Sequence, residues 1–167
     1  ANSIIISPDD GGMKRAVRVS NKLGIGMGTI YKERSEANVV STMSLMGNVK
    51  NKICIIVDDM IDTAGTATKA SKLLKEKGAI EIYMFACHGL FSGKALENIA
   101  NSEFNKVIVT NTLDQNRHNE KIKELNLIDR IEVIDVSWMC AEAIKRSKRG
   151  ESLTELYDSP IISSVNK

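Results

Sequence analysis

The chain has 167 residues, 43% of them apolar and 26% charged, with a formal net charge of +2. That is enough apolar material for the core of one sizeable domain. The charge is too small and too evenly mixed to suggest nucleic acid, no RNA- or DNA-reading motif is present, and no apolar run approaches the roughly 18 residues of a membrane span.

"SIIIS" (Ser3 to Ser7) reads as a buried strand, broken by "PDDGG". Met13 to Leu23 reads as a helix with Ala16, Val17, Ser20 and Leu23 on one face and Gly24 as its stop. "GTIYK" (Gly28 to Lys32) is a second strand, "ERSEAN" a polar loop, and Val39 to Met46 a further strand closed by Gly47 and Asn48. "ICIIV" (Ile53 to Val57) is a continuous β-branched run, the pattern of a strand buried on both faces. Thr66 to Lys77 reads as a helix with Ala67, Ala70, Leu73 and Leu74 inward and Gly78 past its end. Then come a strand (Ile80 to His88), a helix (Gly93 to Asn101), two strands (Lys106 to Thr110 and Ile131 to Val136) and a helix (Trp138 to Arg149) closed by Gly150. Strands separated by helices predict an α/β fold with a mostly parallel sheet flanked by helices. In such sheets ligands bind beyond the carboxyl ends of the strands, so the loops after Ser7, Lys32, Val57, His88 and Thr110 should share one rim. Residues 1–157 are expected to form the domain. Residues 158–167, rich in serine with little periodicity, are expected to be a loosely ordered tail.

There is no secretory signal, and the chain opens on Ala1 rather than Met, which predicts a trimmed or partial chain. Cys54, Cys87 and Cys140 are far apart and odd in number. They are expected to be buried, reduced thiols of a cytoplasmic protein rather than a disulfide framework or a zinc site.

The stretch "CIIVDDMIDTAGTA" (Cys54 to Ala67) carries the chemistry. Its apolar run leads into Asp58 and Asp59, then Asp62, then Thr63, Ala64, Gly65 and Thr66 at the start of a helix. Free backbone N–H groups at a helix start attract anions, and small residues let the backbone close around a phosphate. A phosphate is expected at Thr63 to Thr66. The carboxylates would repel it and suit sugar hydroxyls or a Mg²⁺ ion. Together they fit a sugar phosphate. A strand end with an Asx turn and a threonine N-cap is the bland alternative; it accounts for Thr66 but not for three acids within five positions.

"IIVDDMIDTAGT" resembles the phosphoribosyl-pyrophosphate binding signature shared by type I phosphoribosyltransferases and ribose-phosphate pyrophosphokinases. Asp62 before "TAGT" is similar to the pyrophosphokinases, since transferases usually carry a small non-acidic residue there and "TGGT" after it. "SPDDGG" (Ser7 to Gly12), "KERSEAN" (Lys32 to Asn38), "HGLFSG" (His88 to Gly93), "TNT" (Thr110 to Thr112) and "AEAIKR…GESLTELY" (Ala141 to Tyr157) resemble further pyrophosphokinase segments, in order along nearly the whole chain.

The resemblance implies a type I phosphoribosyltransferase-like fold and transfer of a pyrophosphoryl group from ATP to ribose 5-phosphate, giving phosphoribosyl pyrophosphate and AMP for nucleotide biosynthesis. It implies Lys32 and Arg34 as the catalytic pair, with Arg34 also on the ATP phosphates, and Asp9 as a Mg²⁺ ligand. Asp58 and Asp59 would take the ribose hydroxyls, and Asp62, Thr63, Ala64, Gly65 and Thr66 the 5-phosphate. Ser152 and Thr154 match a segment that lines an allosteric phosphate or ADP site between subunits. Family members are about twice this length and commonly hexameric. This sequence corresponds to their second half, so the ATP site and a metal-binding histidine would lie outside it. The rivals are a type I phosphoribosyltransferase and a non-catalytic regulatory homologue. His88 is expected to be hydrogen-bonded in place, His118 to face solvent, Trp138 to join the core, and Lys145, Arg146, Lys148 and Arg149 to form a solvated face.

Overall fold

The computed structural model describes residues 2–33 and 42–158, which fall into two compact units, Ala1–Ile134 and Asp135–Lys167. The first holds seven strands: β1 (Ser3–Ser7), β2 (Gly26–Glu33), β3 (Thr42–Met46), β4 (Ile53–Ile61), β5 (Glu81–Gly89), β6 (Lys106–Thr110) and β7 (Ile131–Ile134). They form one sheet in the order β3-β2-β1-β4-β5-β6-β7. Every neighbouring pair is parallel except β2 and β3, which run antiparallel. The mostly parallel sheet expected from the alternation of strands and helices is therefore present.

Alternation along the strands splits the core between the two faces. Ile4 and Ile6 of β1 join Cys54, Ile56, Ile82, Met84, Val107 and Val109 in the larger cluster, covered by α2 (Gly65–Glu76) through Ala67, Ala70 and Leu74 and by α3 (Ala95–Ala100) through Leu96 and Ile99. Ile5 faces the other way, with Ala16 of α1 (Met13–Leu23) and Val57. Helix α1 has the predicted bounds and ends on Gly24 at φ 64°. Its inward face is shifted from the expected one: Ala16 and Ser20 are buried, but Val17 and Leu23 are 42% and 59% exposed, and Val19 packs instead.

Three further differences are local. Strand β4 does not stop at Val57. It continues to Ile61 because β5 runs beside it to Gly89. A turn of 3-10 helix (Asn116–His118) leads into α4 (Asn119–Glu124), too short and polar to show an apolar period. Strand β7 ends at Ile134, not Val136. The part of the expected third strand before Thr42 lies outside the described residues.

In the second unit, α5 (Ser137–Arg149) ends on Gly150 at φ 68°, and α6 (Thr154–Asp158) follows, a helix the sequence pattern does not announce. The basic end of α5 is paired as well as solvated: Arg146 binds Glu142 at 3.0 Å and reaches Glu155 at 3.4 Å, and Lys145 meets Glu142 at 3.3 Å. Trp138 is 37% exposed, not a core residue. Cys54 is buried as expected, but Cys87 and Cys140 are exposed. Among the described residues, no helix is long and apolar enough to cross a membrane.

Candidate active site

β1 pairs with β4 only as far as Ile6 opposite Ile56. Beyond that point β4 keeps β5 on one side, from Val57 opposite Phe85 to Ile61 opposite Gly89, and has an open edge on the other. Asp58 and Asp59 stand on this overhang, inside the strand rather than after it. The acids bond to the backbone beside them: Asp58 Oδ1 accepts from the Asp59 N–H and Asp59 Oδ1 from the Met60 N–H, both at 2.9 Å.

Arg15, which no motif pointed to, closes over the pair. Its Nη1 donates to Asp58 Oδ1 at 2.8 Å and its Nη2 lies 3.0 Å from Asp59 Oδ2. Arg15 occupies the first turn of α1, where a cation opposes the helix dipole. Lys14 shares that turn, so the sequence alone does not single out Arg15 as the partner of the acids. The two carboxyls titrate apart. Loss of solvent pushes Asp58 above the ordinary carboxylate range, and a hydrogen bond with Asp59 and that residue's charge add to the rise, against the Asp59 amide and Arg15. Asp59 also loses some solvent, but the hydrogen bond from Asp58 and the Arg15 charge outweigh that loss and hold it below the usual range.

Just past the strand, the backbone turns at Ala64, which sits in the left-handed region at φ 58° and caps α2 with no side-chain hydrogen bond. The threonine N-cap of the bland reading is therefore not formed. A left-handed residue followed by right-handed ones makes a concave nest of N–H groups, and the first amides of a helix have no intrahelical acceptor. Asp62, Thr63, Ala64, Gly65 and Thr66, with Pro8, Asp58 and Met60, line a cavity of about 150 Å³ here. It is much smaller than the few hundred Å³ of a drug-sized site, and suits a phosphate group. The loop is pinned from behind by residues the motif does not include. The Asp62 carbonyl accepts from the Ser92 amide at 3.0 Å, and the Thr63 carbonyl from Asn98 Nδ2 at 2.8 Å. Leu90 and Phe91 both donate their amides to the Ile61 carbonyl. This explains why the "HGLFSG" segment accompanies the phosphate loop: it buttresses it.

Asp9 is exposed, and its Oδ1 accepts from the Gly12 amide at 2.9 Å. The Ser7 hydroxyl donates to the Asp9 carbonyl at 2.7 Å. A Cβ on Gly12 would stand 2.8 Å from Ser7 Oγ, so the turn closes on glycine. Asp9 thus makes the capping turn its position suggests. Among the described residues no three His, Cys, Asp or Glu side chains converge as a metal centre. A single carboxylate does fit a Mg²⁺ ion that arrives on substrate phosphates and brings most of its ligands with it.

The backbone of Lys32 lies in β2, paired with Met43; its side chain and the whole of Arg34 lie outside the described residues. His88 is hydrogen-bonded in place, Nδ1 to Thr112 Oγ1 at 2.8 Å. His118 is half-buried rather than solvent-facing. It packs edge-on against Phe91 with ring centroids 5.6 Å apart and takes a hydrogen bond from Arg117 Nε at 3.0 Å. Burial and the Arg117 charge lower its pKa. These residues, with His88, Leu90, Ser92 and Leu113, line a wider depression of about 660 Å³. It is roomier than the cavity at the loop but holds no paired acids.

A parallel sheet whose central strand carries two acids past its neighbour, into a turn of free amides, defines a protein of the phosphoribosyltransferase-like α/β class. The adenine phosphoribosyl transferase of Trypanosoma brucei shares that fold at 17% identity, with a TM-score of 0.52 over 81% of this chain and 56% of that one. Within the class the chain belongs to the phosphoribosyl synthetase family, whose model, described as the phosphoribosyl synthetase-associated domain, matches residues 38–158. It is 47% identical over 156 residues to ribose-phosphate pyrophosphokinase 3 of Saccharomyces cerevisiae, covering 93% of this chain and 47% of that protein. It is similar in structure to the phosphoribosylpyrophosphate synthetase of Mycobacterium smegmatis, with a TM-score of 0.75 at 33% identity over 89% of this chain and 46% of that one. The chain thus spans about half the length of the relatives it matches.

Proposed function

We propose that this chain is the C-terminal, ribose-5-phosphate-binding half of a ribose-phosphate pyrophosphokinase. The observation that carries the reading is the continuity of the site. One strand presents a dicarboxylate at its open edge and runs within a few residues into an uncapped helix start, so hydroxyls and phosphate of one small molecule can be held at once. The names of the relatives above support transfer of a pyrophosphoryl group to ribose phosphate, and the step in this reading is the following. The anomeric oxygen of ribose 5-phosphate attacks the β-phosphorus of ATP, the bond from that phosphorus to the α–β bridging oxygen breaks, and AMP leaves. Such a transfer needs positioning and charge neutralisation more than covalent chemistry.

In this reading Asp58 and Asp59 hold the ribose hydroxyls, while Thr63 to Thr66 and the Asp62 backbone hold the 5-phosphate. Lys32 and Arg34 meet the charge that grows on the phosphate oxygens, Lys as a point charge and Arg as a planar fork. Asp9 contributes one ligand to Mg²⁺ carried by ATP. The other half of the enzyme supplies the nucleotide site, the whole works as a cytoplasmic homo-oligomer, and Ser152 and Thr154 face an effector phosphate at a subunit contact.

Two measurements test this. Calorimetry of the chain with ribose 5-phosphate should show binding that Asp58→Asn weakens, whereas phosphoribosyl pyrophosphate with a free base should yield no nucleotide. In the full-length enzyme, Lys32→Ala should slow AMP release from ATP and ribose 5-phosphate by ~10²-fold or more, as loss of a transition-state donor does. Unchanged turnover would remove Lys32 from the chemistry.

A further inference from the structure

Two carboxylates on successive residues repel each other, and a bare pair has two ways out: it takes up a proton or it takes up a cation. The structure shows a third solution. One guanidinium spans both acids, one nitrogen to each, at 2.8 and 3.0 Å. Four donors engage the pair, two from Arg15 and the amides of Asp59 and Met60. Two carboxylates offer about eight lone-pair sites, so about half the accepting capacity stays available for hydroxyl donors. The positive charge that a divalent ion would bring is already in place, and the ion would have to sit against it. The cost of putting Arg15 in the first turn of α1, where the dipole opposes a cation, makes sense if the guanidinium serves the acids.

We propose that Arg15 is the built-in counter-ion of the Asp58–Asp59 pair: it keeps the pair a metal-free acceptor for sugar hydroxyls, and in its absence the pair becomes a divalent-cation site. The choice between diol and metal, which two adjacent aspartates leave open, is made 43 residues away in the chain. The proposal rests on the ribose-phosphate reading for its ligand but not for its metal half. Arg15 is here a positioning and specificity residue, acting through the two acids.

The test uses this chain as wild type, Arg15→Met and Arg15→Lys, each checked for fold by circular dichroism. Ribose 5-phosphate binding is measured by calorimetry in EDTA, and Mn²⁺ binding by electron paramagnetic resonance without sugar. Wild type should bind ribose 5-phosphate in EDTA. Arg15→Met should lose at least about tenfold in that affinity and gain one Mn²⁺ site, which a further Asp58→Asn removes. Arg15→Lys, with the charge but not the fork, should exclude Mn²⁺ while recovering only part of the sugar affinity. The proposal is overturned if Arg15→Met binds sugar like wild type and gains no Mn²⁺. It also falls if wild type itself binds Mn²⁺ at a site that Asp58→Asn abolishes. A wild type that ignores ribose 5-phosphate, with the Mn²⁺ results as expected, would sink the ribose-phosphate reading and leave the counter-ion role standing.

Discussion

Asp58 loses solvent within β4, and that loss lifts its pKa even with Arg15 at 2.8 Å. A carboxyl whose folded pKa lies above its unfolded value of about 3.8 binds protons more readily in the folded state. Its ionised form therefore costs stability above the folded pKa, and the cost fades as pH falls through that value toward the unfolded one. Asp59, with its pKa lowered, has the opposite sign: its contribution is present at neutral pH and is lost in acid. Asp58→Asn mimics the protonated form, so its urea midpoint at pH 7 should lie above that of wild type, with the gap closing below about pH 4, while sugar binding weakens. A lower midpoint at pH 7 would contradict this account. The acids and the threonines were legible in the sequence because they are neighbours in the chain. Arg15 and Asn98 were not, because they reach the site from other elements, and Ser92 stood in a resembling segment with no role attached to it.

The start of α2 is the element on which the phosphate depends. Ala64 holds a left-handed backbone that costs an L-residue about 1–2 kcal/mol, and its methyl is buried in the larger core. Ala64→Gly relieves the strain but gives up the methyl and adds unfolded-state entropy, so stability should stay within about 1 kcal/mol of wild type. Ala64→Val sets a β-branched side chain at φ 58° and should cost more than about 2 kcal/mol, read as a drop in the denaturation midpoint. Farther along the helix, Leu74 is fully buried, and Leu74→Ala should cost about 2–5 kcal/mol. The bounds of α1 and α2 were readable from apolar period and glycine stops. The continuation of β4 was not, since Asp58 and Asp59 look like a strand end until β5 is seen beside them. The short polar α4 gave no period to read.

At the scale of the whole molecule, chain order told that the sheet is mostly parallel but not which strands are neighbours. Strand β4 becomes the central one because β1 and β5 flank it, and that position makes Cys54 a reporter of global unfolding. Burial pushes its thiol up to about 11, against a small opposing effect of Lys52, so little reactive thiolate exists at neutral pH. Cys87 and Cys140 are exposed. A disulfide reagent at pH 8 should modify two thiols promptly, and the third at the rate of global opening. Three fast thiols would mean that the sheet opens locally at β4.

The register of β2 has a mechanical consequence. β1 pairs with it only from Gly26 to Thr29, whereas β3 pairs with it from Thr29 to Glu33. The last residues of β2, Lys32 among them, therefore pair with β3 alone, whose Met43 and Leu45 pack against the larger core cluster. Isolated two-stranded ribbons are marginally stable. Amide deuterium uptake at Tyr31 to Glu33 and at Met43 and Ser44 should run well ahead of uptake at Ile55 and Ile56. Lys32 would then sit on a stretch with one pairing partner, steadied through Met43 and Leu45 by the same core that supports the strand carrying the acids.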